Sequence, residues 1–284
     1  MAEEAAGRAG VKVFVSSDME GTAGVVDWDQ VRPGSPAYPA FAELLLAEVN
    51  AAIEGAAEAG ASEFVVNDSH GRMANLPPDR LAGRARYLSG RLKPRYMMEG
   101  LDGSFDAVFL VSYHGSMSAH ASTLSHTYFP AAFAEVTLNG AVVGEAGINA
   151  LVAQHYGVPV VLITGDETTA AEIGALCPGI RAAVVKRSVT RFAAESLHPH
   201  AACELIREQA RLAVADLAGA APPAIDLPAA LGLRFHNTDY ADLAARISGV
   251  ARTGDLDAVI TDADPLALFT TFITVVLLCR GFVE

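Results

Sequence analysis

Two carboxylates end the stretch Val13-Phe-Val-Ser-Ser-Asp18-Met-Glu20-Gly21, whose first residues are typical of a buried β-strand. In an extended chain, residues i and i+2 point to the same side, so Asp18 and Glu20 would be directed at one place beyond the strand. That arrangement suits a metal ion. The pair alone is equally compatible with an Asp and a Glu that simply open a solvated loop.

Two further predicted strands also end in residues that bind metals. His70 follows the short strand 63–67, His114 follows the apolar run 107–112, and Glu145 opens a helix farther along the chain. In open α/β sheets the ligand crevice lies beyond the carboxyl ends of the strands, so these side chains can converge. The combined set mixes imidazole and carboxylate, which suits Zn or a similar divalent ion and can hold two: Asp18, Glu20, His70, His114 and Glu145.

Strands and helices alternate along the whole chain. This alternation predicts an α/β fold with a central, mainly parallel sheet flanked by helices. We predict a flexible leader over 1–10, a metal-binding catalytic α/β domain over 11–217, and a smaller C-terminal α/β subdomain over 218–284 packed on the first. The predicted strands are 12–17, 63–67, 86–88, 107–112, 127–138, 141–143, 158–164, 180–185, 231–235 and 258–261, and the predicted helices are 40–59, 144–156, 166–176, 199–217, 240–247 and 265–279.

The composition excludes several classes of protein. With 33 acidic against 20 basic residues and a net charge of -13, the chain lacks the basic clusters of a nucleic-acid-binding protein. Its most apolar segment, 265–279, is too short to span a membrane and fits a buried helix. The N-terminus lacks the pattern of a secretory signal, and the three cysteines form no closely spaced pair, so we expect a cytoplasmic protein with reduced thiols.

Familiar signatures of other enzymes are missing from the sequence. It contains no P-loop, no GxGxxG after a strand, no His-Glu-x-x-His and no nucleophile elbow. Three polar residues near strand ends have open interpretations. Asp68 either orients a ligand histidine or makes local backbone hydrogen bonds, Asp166 either lines the site or caps a helix, and Lys186 either faces an anionic substrate group or is solvated.

Five motifs together resemble a known family, the bacterial zinc D-aminopeptidases associated with dipeptide-transport operons. The resemblance runs from the first strand to the C-terminal helix. Each motif is weak alone, whereas their shared order is specific. The motifs are Val-Ser-Ser-Asp18-Met-Glu20-Gly21, Val66-Asn-Asp-Ser-His70, Tyr113-His114, Ser125-His126 and Val143-Gly-Glu145-x-Gly-x-Asn-Ala.

The resemblance implies a dinuclear zinc centre, one carboxylate bridging, whose ligands are Asp18, Glu20, His70, His114 and Glu145. It assigns the catalytic role to His126. The loop between His114 and His126 is one residue longer than the family pattern and contains an additional His120, but the retained pair Ser125-His126 favours His126. Family members form homo-oligomers, and the resemblance implies a ten-subunit assembly of stacked rings with sites facing an inner cavity.

The predicted function is that of a zinc aminopeptidase that removes N-terminal residues from short peptides, with the preference for D-amino acids resting on the resemblance alone. Zinc would acidify a water molecule and polarise the scissile carbonyl. His126 would either stabilise the oxyanion or pass a proton to the leaving amine. Two alternatives share the ligands: a dinuclear metal amidase or phosphoesterase acting on other small substrates, and a non-catalytic oligomer that binds metal or peptide.

Overall fold

A computed structural model of the chain describes residues 10–282. The helices are α1 (Trp28–Val31), α2 (Tyr38–Glu58), α3 (Glu145–Tyr156), α4 (Glu167–Gly174), α5 (Pro199–Ala215), α6 (Thr238–Ala244) and α7 (Pro265–Gly281). The strands are β1 (Val11–Ser17), β2 (Ala61–Asp68), β3 (Arg86–Leu88), β4 (Ala107–Tyr113), β5 (Phe133–Leu138), β6 (Ala141–Val142), β7 (Val160–Asp166), β8 (Arg181–Thr190), β9 (Ala193–Ser196), β10 (Ala229–Phe235), β11 (Val250–Arg252) and β12 (Asp257–Asp262).

The larger sheet has seven strands in the order β3-β2-β1-β4-β7-β8-β9. All neighbouring pairs are parallel except β8 with β9, which form an antiparallel pair at the edge. The predicted α/β class with a central, mainly parallel sheet is therefore confirmed. Because β1, β2 and β4 are adjacent and parallel, their carboxyl ends meet at one edge of the sheet.

The smaller sheet has five strands in the order β11-β12-β10-β5-β6, and every neighbouring pair is antiparallel. Three of its strands come from the C-terminal part of the chain. The other two are the hairpin β5–β6, which turns at Asn139-Gly140 with both residues at positive φ. The second sheet thus joins the C-terminal segment to the middle of the chain.

Two hydrophobic cores cover the two faces of β1. Val13 and Val15 point into a core shared with α2 and α5, whereas Phe14 points into a core shared with α3, α7 and the smaller sheet. This alternation follows from the period of two along a strand, and it explains why the run is apolar on both faces. The central strands are therefore fixed from both sides, and so are the loops that follow them.

Three predicted elements differ from the structure. The strand predicted over 180–185 continues as β8 to Thr190 and turns back as β9, because exposed and buried residues alternate there at an edge rather than forming an apolar run. The loop after β1 contains the short helix α1, which is capped by Asp27. The strand predicted over 127–138 begins at Phe133, since the preceding residues form the loop that carries His126.

The predicted leader, 1–10, lies outside the described residues except for Gly10. The division of the chain near residue 218 stays a prediction. No helix within residues 10–282 combines the length and the apolar character needed to cross a membrane.

Candidate metal centre

The structure brings together all five predicted metal ligands at the carboxyl edge of the larger sheet. Asp18 and Glu20 follow β1, His70 follows β2 and His114 follows β4, while Glu145 is the first residue of α3. All five side chains are buried. They converge because the strands that precede four of them are neighbours in the sheet.

The glycine of the first motif has a steric reason. A Cβ added to Gly21 would overlap the carbonyl oxygen of Tyr113 and the carbonyl carbon of Ser112. The amide of Gly21 donates a hydrogen bond of 2.7 Å to the Ser112 carbonyl. Only glycine lets the loop after β1 approach the end of β4 this closely, and this approach brings Glu20 toward the end of β4, which His114 follows.

The ligand atoms lie within a few ångströms of one another. His70 Nδ1 is 3.0 Å from Glu20 Oε2 and 3.4 Å from Asp18 Oδ1. His114 Nε2 is 3.5 Å from Asp18 Oδ2 and 3.7 Å from Glu145 Oε1. Asp18, Glu20 and His114 offer ligand atoms that all lie within 4.8 Å of one another, and so do His114, Glu145 and a sixth residue, His126.

Three imidazoles are oriented by backbone carbonyls. His70 Nε2 lies 2.7 Å from the carbonyl oxygen of Val31, His114 Nδ1 lies 2.9 Å from that of Gly115, and His126 Nδ1 lies 2.9 Å from that of Leu124. A carbonyl accepts only from an N–H, so these nitrogens carry the proton. The other nitrogen of each ring faces the carboxylates, which is how proteins orient histidines that bind metals.

The charge balance of the centre calls for a cation. Asp18 Oδ2 and His114 Nε2 are buried and make no hydrogen bond with any described residue. Burial raises the pKa of Asp18, and the nearby charge of Glu20 raises it further. Burial also raises the pKa of Glu145 to about 7. Three buried carboxylates crowd together at a cost that a divalent cation would remove.

The protonation of the histidines fits the same conclusion. Burial lowers the pKa of His114 to about 3, so its imidazole stays neutral and keeps a lone pair available. Burial alone would lower the pKa of His70, but the charge of Glu20 and hydrogen bonds with Asp18 and Glu20 raise it above its ordinary value. The raised pKa favours a proton on His70 Nδ1 in the metal-free protein. A metal ion that binds this nitrogen has to displace the proton. The residues present therefore fit zinc, which binds neutral imidazole and carboxylate.

Comparison with known proteins decides the family. Residues 11–274 match the model of peptidase family M55, described as D-aminopeptidase. The chain is 33% identical over 239 residues to the D-aminopeptidase of Bacillus subtilis (strain 168), covering 84% of this chain and 86% of that protein. This chain belongs to the D-aminopeptidase family. The resemblance inferred from the five motifs is confirmed.

A solved structure agrees with this family assignment. The Zn-dependent D-aminopeptidase DppA from Bacillus subtilis, described as a self-compartmentalizing protease, superposes with a TM-score of 0.91 at 30% identity. The match covers 96% of this chain and 100% of that one. This family member therefore has the same fold as a zinc-dependent D-aminopeptidase.

The two histidines of the longer loop occupy different places. His126 stacks on His114 with ring centroids 4.2 Å apart, and its Nε2 lies 3.4 Å from Glu145 Oε1. His120 is exposed and lines a separate surface pocket. The geometry favours His126 as the catalytic histidine, and this role stays a prediction.

Lys186 has a role that neither interpretation of the sequence foresaw. Its ammonium group is buried and donates hydrogen bonds to the carbonyl oxygens of Glu20 (2.5 Å), Thr22 (3.2 Å) and Val25 (2.8 Å). Burial lowers its pKa to about 8. Lys186 is therefore neither solvated nor directed at substrate, but holds the loop that carries Glu20. The only signal in the sequence was its position directly after the strand predicted over 180–185, which in the structure continues through Lys186 to Thr190.

We predict that Lys186→Met lowers the free energy of unfolding by about 3 kcal/mol or more, because three buried carbonyls lose their donor. Zinc affinity should also fall, since the loop bearing Glu20 loses its anchor. Urea unfolding and zinc titration measure the two effects. Arg187→Met, on the exposed side of the same strand, is the matched control and should change neither. Unchanged stability and zinc affinity in Lys186→Met would contradict this role.

Glu48 supports the same loop from α2. Its carboxylate accepts hydrogen bonds from the Ala23 amide (2.8 Å) and the Ser112 hydroxyl (2.6 Å). Burial raises its pKa from 4.5 to about 7, although both hydrogen bonds and the charge of Lys186 act in the opposite direction. Glu48 therefore keeps its proton in the folded protein at pH values where the unfolded chain has lost it.

We predict that Glu48→Gln stabilises the metal-free protein at pH 8 but not at pH 4. Between pH 4.5 and about 7 the unfolded wild type releases this proton while the folded wild type retains it, so the stability of the wild type falls as pH rises. The variant lacks this titration, and the difference should approach roughly 3 kcal/mol at pH 8. Urea unfolding at both pH values measures it, and a pH-independent difference would contradict the assignment.

Asp68 and Asp166 make the local hydrogen bonds that were one of the two interpretations of each residue from the sequence. Asp68 accepts hydrogen bonds from the amides of Asn75 and Leu76, so it shapes the loop after β2. Asp166 caps α4 by accepting from the Thr169 amide, and it also accepts from the Ser122 hydroxyl. Neither contacts a predicted ligand histidine through a hydrogen bond within the described part of the chain.

Proposed function

We propose that this protein is a zinc-dependent aminopeptidase that removes N-terminal residues, D-amino acids preferred, from short peptides. The observation that carries the proposal is the set of imidazoles whose outer nitrogens are fixed by backbone carbonyls and whose inner nitrogens face three buried carboxylates. Two zinc ions would be held by Asp18, Glu20, His70, His114 and Glu145. Membership in the D-aminopeptidase family supports the substrate class.

Bound zinc would supply an acidified water and a polarised carbonyl. The protein's own residues prepare the rest of the site. The amide of Tyr128 donates a 2.7 Å hydrogen bond to Glu145 Oε1, which fixes that carboxylate. Lys186 and Glu48 hold the loop between β1 and α1, so that Asp18 and Glu20 stay in place without reorganisation.

His126 can exchange a proton with substrate through only one of its ring nitrogens. Its Nδ1 is committed to the Leu124 carbonyl, so only Nε2 can exchange a proton with substrate. Because the neutral ring carries its proton on Nδ1, Nε2 has to take up the proton that the attacking water loses before it can stabilise an oxyanion or protonate the leaving amine, and both roles place Nε2 beside the scissile bond. The ring is held on both sides, by His114 and by Trp28, whose centroid is 5.6 Å away.

The pocket above the centre has the size expected for a short peptide. Its volume is about 770 Å³, within the range of ordinary small-molecule sites. Aromatic side chains, among them Trp28, Tyr128 and Phe129, line its walls next to the predicted ligands.

A dinuclear amidase or phosphoesterase would share the ligands, so the substrate decides between them. The zinc-loaded protein should be incubated with D-Ala-D-Ala, L-Ala-L-Ala, their C-terminal amides and a generic phosphate ester. The proposal predicts release of free amino acid, fastest from the D-peptide. Release of phosphate without release of any amine would overturn it, and faster cleavage of the L-peptide would overturn the D-preference alone.

We further propose that the protein works in the cytoplasm as a homo-oligomer of ten subunits in stacked rings. The solved relative is described as self-compartmentalizing. Exposed apolar side chains on the β8–β9 hairpin, Val189 at 55% and Phe192 at 52% exposure, support burial of this edge in an assembly. Light scattering of the purified protein tests it: the mass of ten chains is expected, and a monomer would contradict it.

A further inference from the structure

Five arginines line the pocket above the metal centre, and we call them the arginine rim: Arg32, Arg72, Arg91, Arg191 and Arg280. The whole chain has only 20 lysines and arginines against 33 acids. Among the described residues, the acids that line this pocket are Asp18, Glu20 and Glu145, all predicted ligands. Once bound cations balance those acids, the pocket is positive inside an acidic protein, which indicates an anionic ligand.

Two members of the rim lie beside the predicted catalytic histidine. The guanidinium carbons of Arg32 and Arg191 are 5.7 and 5.8 Å from the centroid of the Trp28 ring. The Trp28 ring packs edge-to-face on His126. Arg191 Nε also donates a 3.1 Å hydrogen bond to the carbonyl oxygen of Ser125, the residue before His126. Both guanidiniums are thereby held next to His126.

Their terminal guanidinium nitrogens make no strong hydrogen bond with the described residues: Arg191 uses Nε for the Ser125 carbonyl, and one of its terminal nitrogens lies 4.0 Å from Met117 Sδ, a weak acceptor. Within residues 10–282, neither Arg32 nor Arg191 forms an ion pair with a carboxylate. Arg280 differs, because its terminal nitrogens donate to the Tyr96 hydroxyl and to the Tyr128 carbonyl. An arginine that lies over an aromatic ring and keeps its terminal nitrogens free of carboxylates is suited to a contact with the carboxylate of a ligand.

We propose that Arg32 and Arg191 bind the free α-carboxylate of the residue that leaves when a dipeptide is cleaved. This inference rests on the proposed function, which places the leaving amine at His126. The α-carboxylate is bonded to the same Cα as that amine, so it reaches the side of the pocket formed by Trp28. In a longer peptide this position holds an uncharged amide instead. The two arginines therefore select dipeptides with a free C-terminus over amides and longer peptides.

The test compares D-Ala-D-Ala with its C-terminal amide, in the stereoisomer that the wild type cleaves faster. We expect the wild type to favour the free acid through a lower KM. In Arg32→Gln combined with Arg191→Gln, kcat/KM for the free acid should fall about ten- to hundredfold, as expected for loss of charge-assisted hydrogen bonds, while the amide should change less than about threefold. Arg191→Lys should recover part of the discrimination.

Controls separate this inference from the function on which it rests. Arg211→Gln, on the outer face of α5, should leave both substrates unaffected. If the wild type cleaves acid and amide equally, the inference is wrong and the aminopeptidase activity stands. If a D-Ala-D-Asp amide, which carries only a side-chain carboxylate, is cleaved as well as the free acid, the assignment to the α-carboxylate is wrong. Cleavage of no peptide would overturn both.

Discussion

Asp18→Asn should abolish peptidase activity and, at the same time, stabilise the metal-free protein. Asp18 contacts both histidines that are predicted ligands, with oxygens 3.4 Å from His70 Nδ1 and 3.5 Å from His114 Nε2. Removal of its charge should lower the zinc content per chain and reduce kcat/KM by about 10³-fold or more, the size expected when metal assistance is lost.

The gain in stability follows from the electrostatics of the metal-free centre. Burial and the charge of Glu20 raise the pKa of Asp18, so its ionised form is costly in the folded protein at neutral pH. The asparagine of the variant would carry no charge and would offer an N–H toward His114 Nε2, which has no hydrogen-bond partner among the described residues. Loss of activity together with a higher melting temperature of the metal-free protein is the signature of a functional site that costs stability.

The control for this variant is Asp79→Asn, an exposed carboxylate in the loop after β2. Zinc content, activity and melting temperature should all match those of the wild type. Thermal unfolding in the presence of a chelator, metal analysis and peptide hydrolysis together measure the three effects. An Asp18→Asn protein that binds as much zinc as the wild type would contradict the assignment of Asp18 as a ligand.

His126→Ala should lower kcat by about 10²- to 10⁴-fold while the zinc content stays unchanged, because a positioned proton-transfer group contributes that much. Its Nε2 faces the pocket beside Glu145, and its removal leaves the five predicted ligands in place. His120→Ala is the matched control from the same loop, and it should retain full activity since His120 lies in a different surface pocket.

The same experiment distinguishes two chemical roles for His126. It shares with His114 and Glu145 a geometry that can hold a metal. If His126→Ala loses zinc as well as activity, His126 is a ligand and not a proton-transfer group. Full activity with zinc retained would remove it from the mechanism altogether.

Much of the centre could be predicted from the sequence because the pattern that places each side chain lies within a few neighbouring residues. An apolar run buried on both faces fixes a strand, and the residues that follow it are carried to the sheet edge. Asp18, His70 and His114 each follow such a run, and parallel pairing of neighbouring strands brings them together. Gly21 is needed because the backbone after β1 lies against the backbone at the end of β4. The sequence shows the glycine but not the backbone that it lies against.

The contacts that support the centre could not be predicted, because they join residues far apart in the chain. Lys186 reaches the Glu20 carbonyl across 166 positions, and Glu48 reaches the Ser112 hydroxyl across 64. No periodicity or motif marks either contact. The positively charged pocket could not be predicted for the same reason. Arg32 and Arg191 come from different loops and lie together only at the Trp28 ring.

Zinc titration of the metal-free protein, followed by hydrolysis of D-Ala-D-Ala, tests the proposed zinc-dependent peptidase activity in a single experiment. We expect no activity without metal, a rise with each addition of zinc, and a plateau at two equivalents per chain. We also expect D-Ala-D-Ala to be cleaved faster than L-Ala-L-Ala at the plateau. Peptide hydrolysis that persists at full rate after zinc is removed, or no hydrolysis of any dipeptide at saturating zinc, would contradict the proposed function.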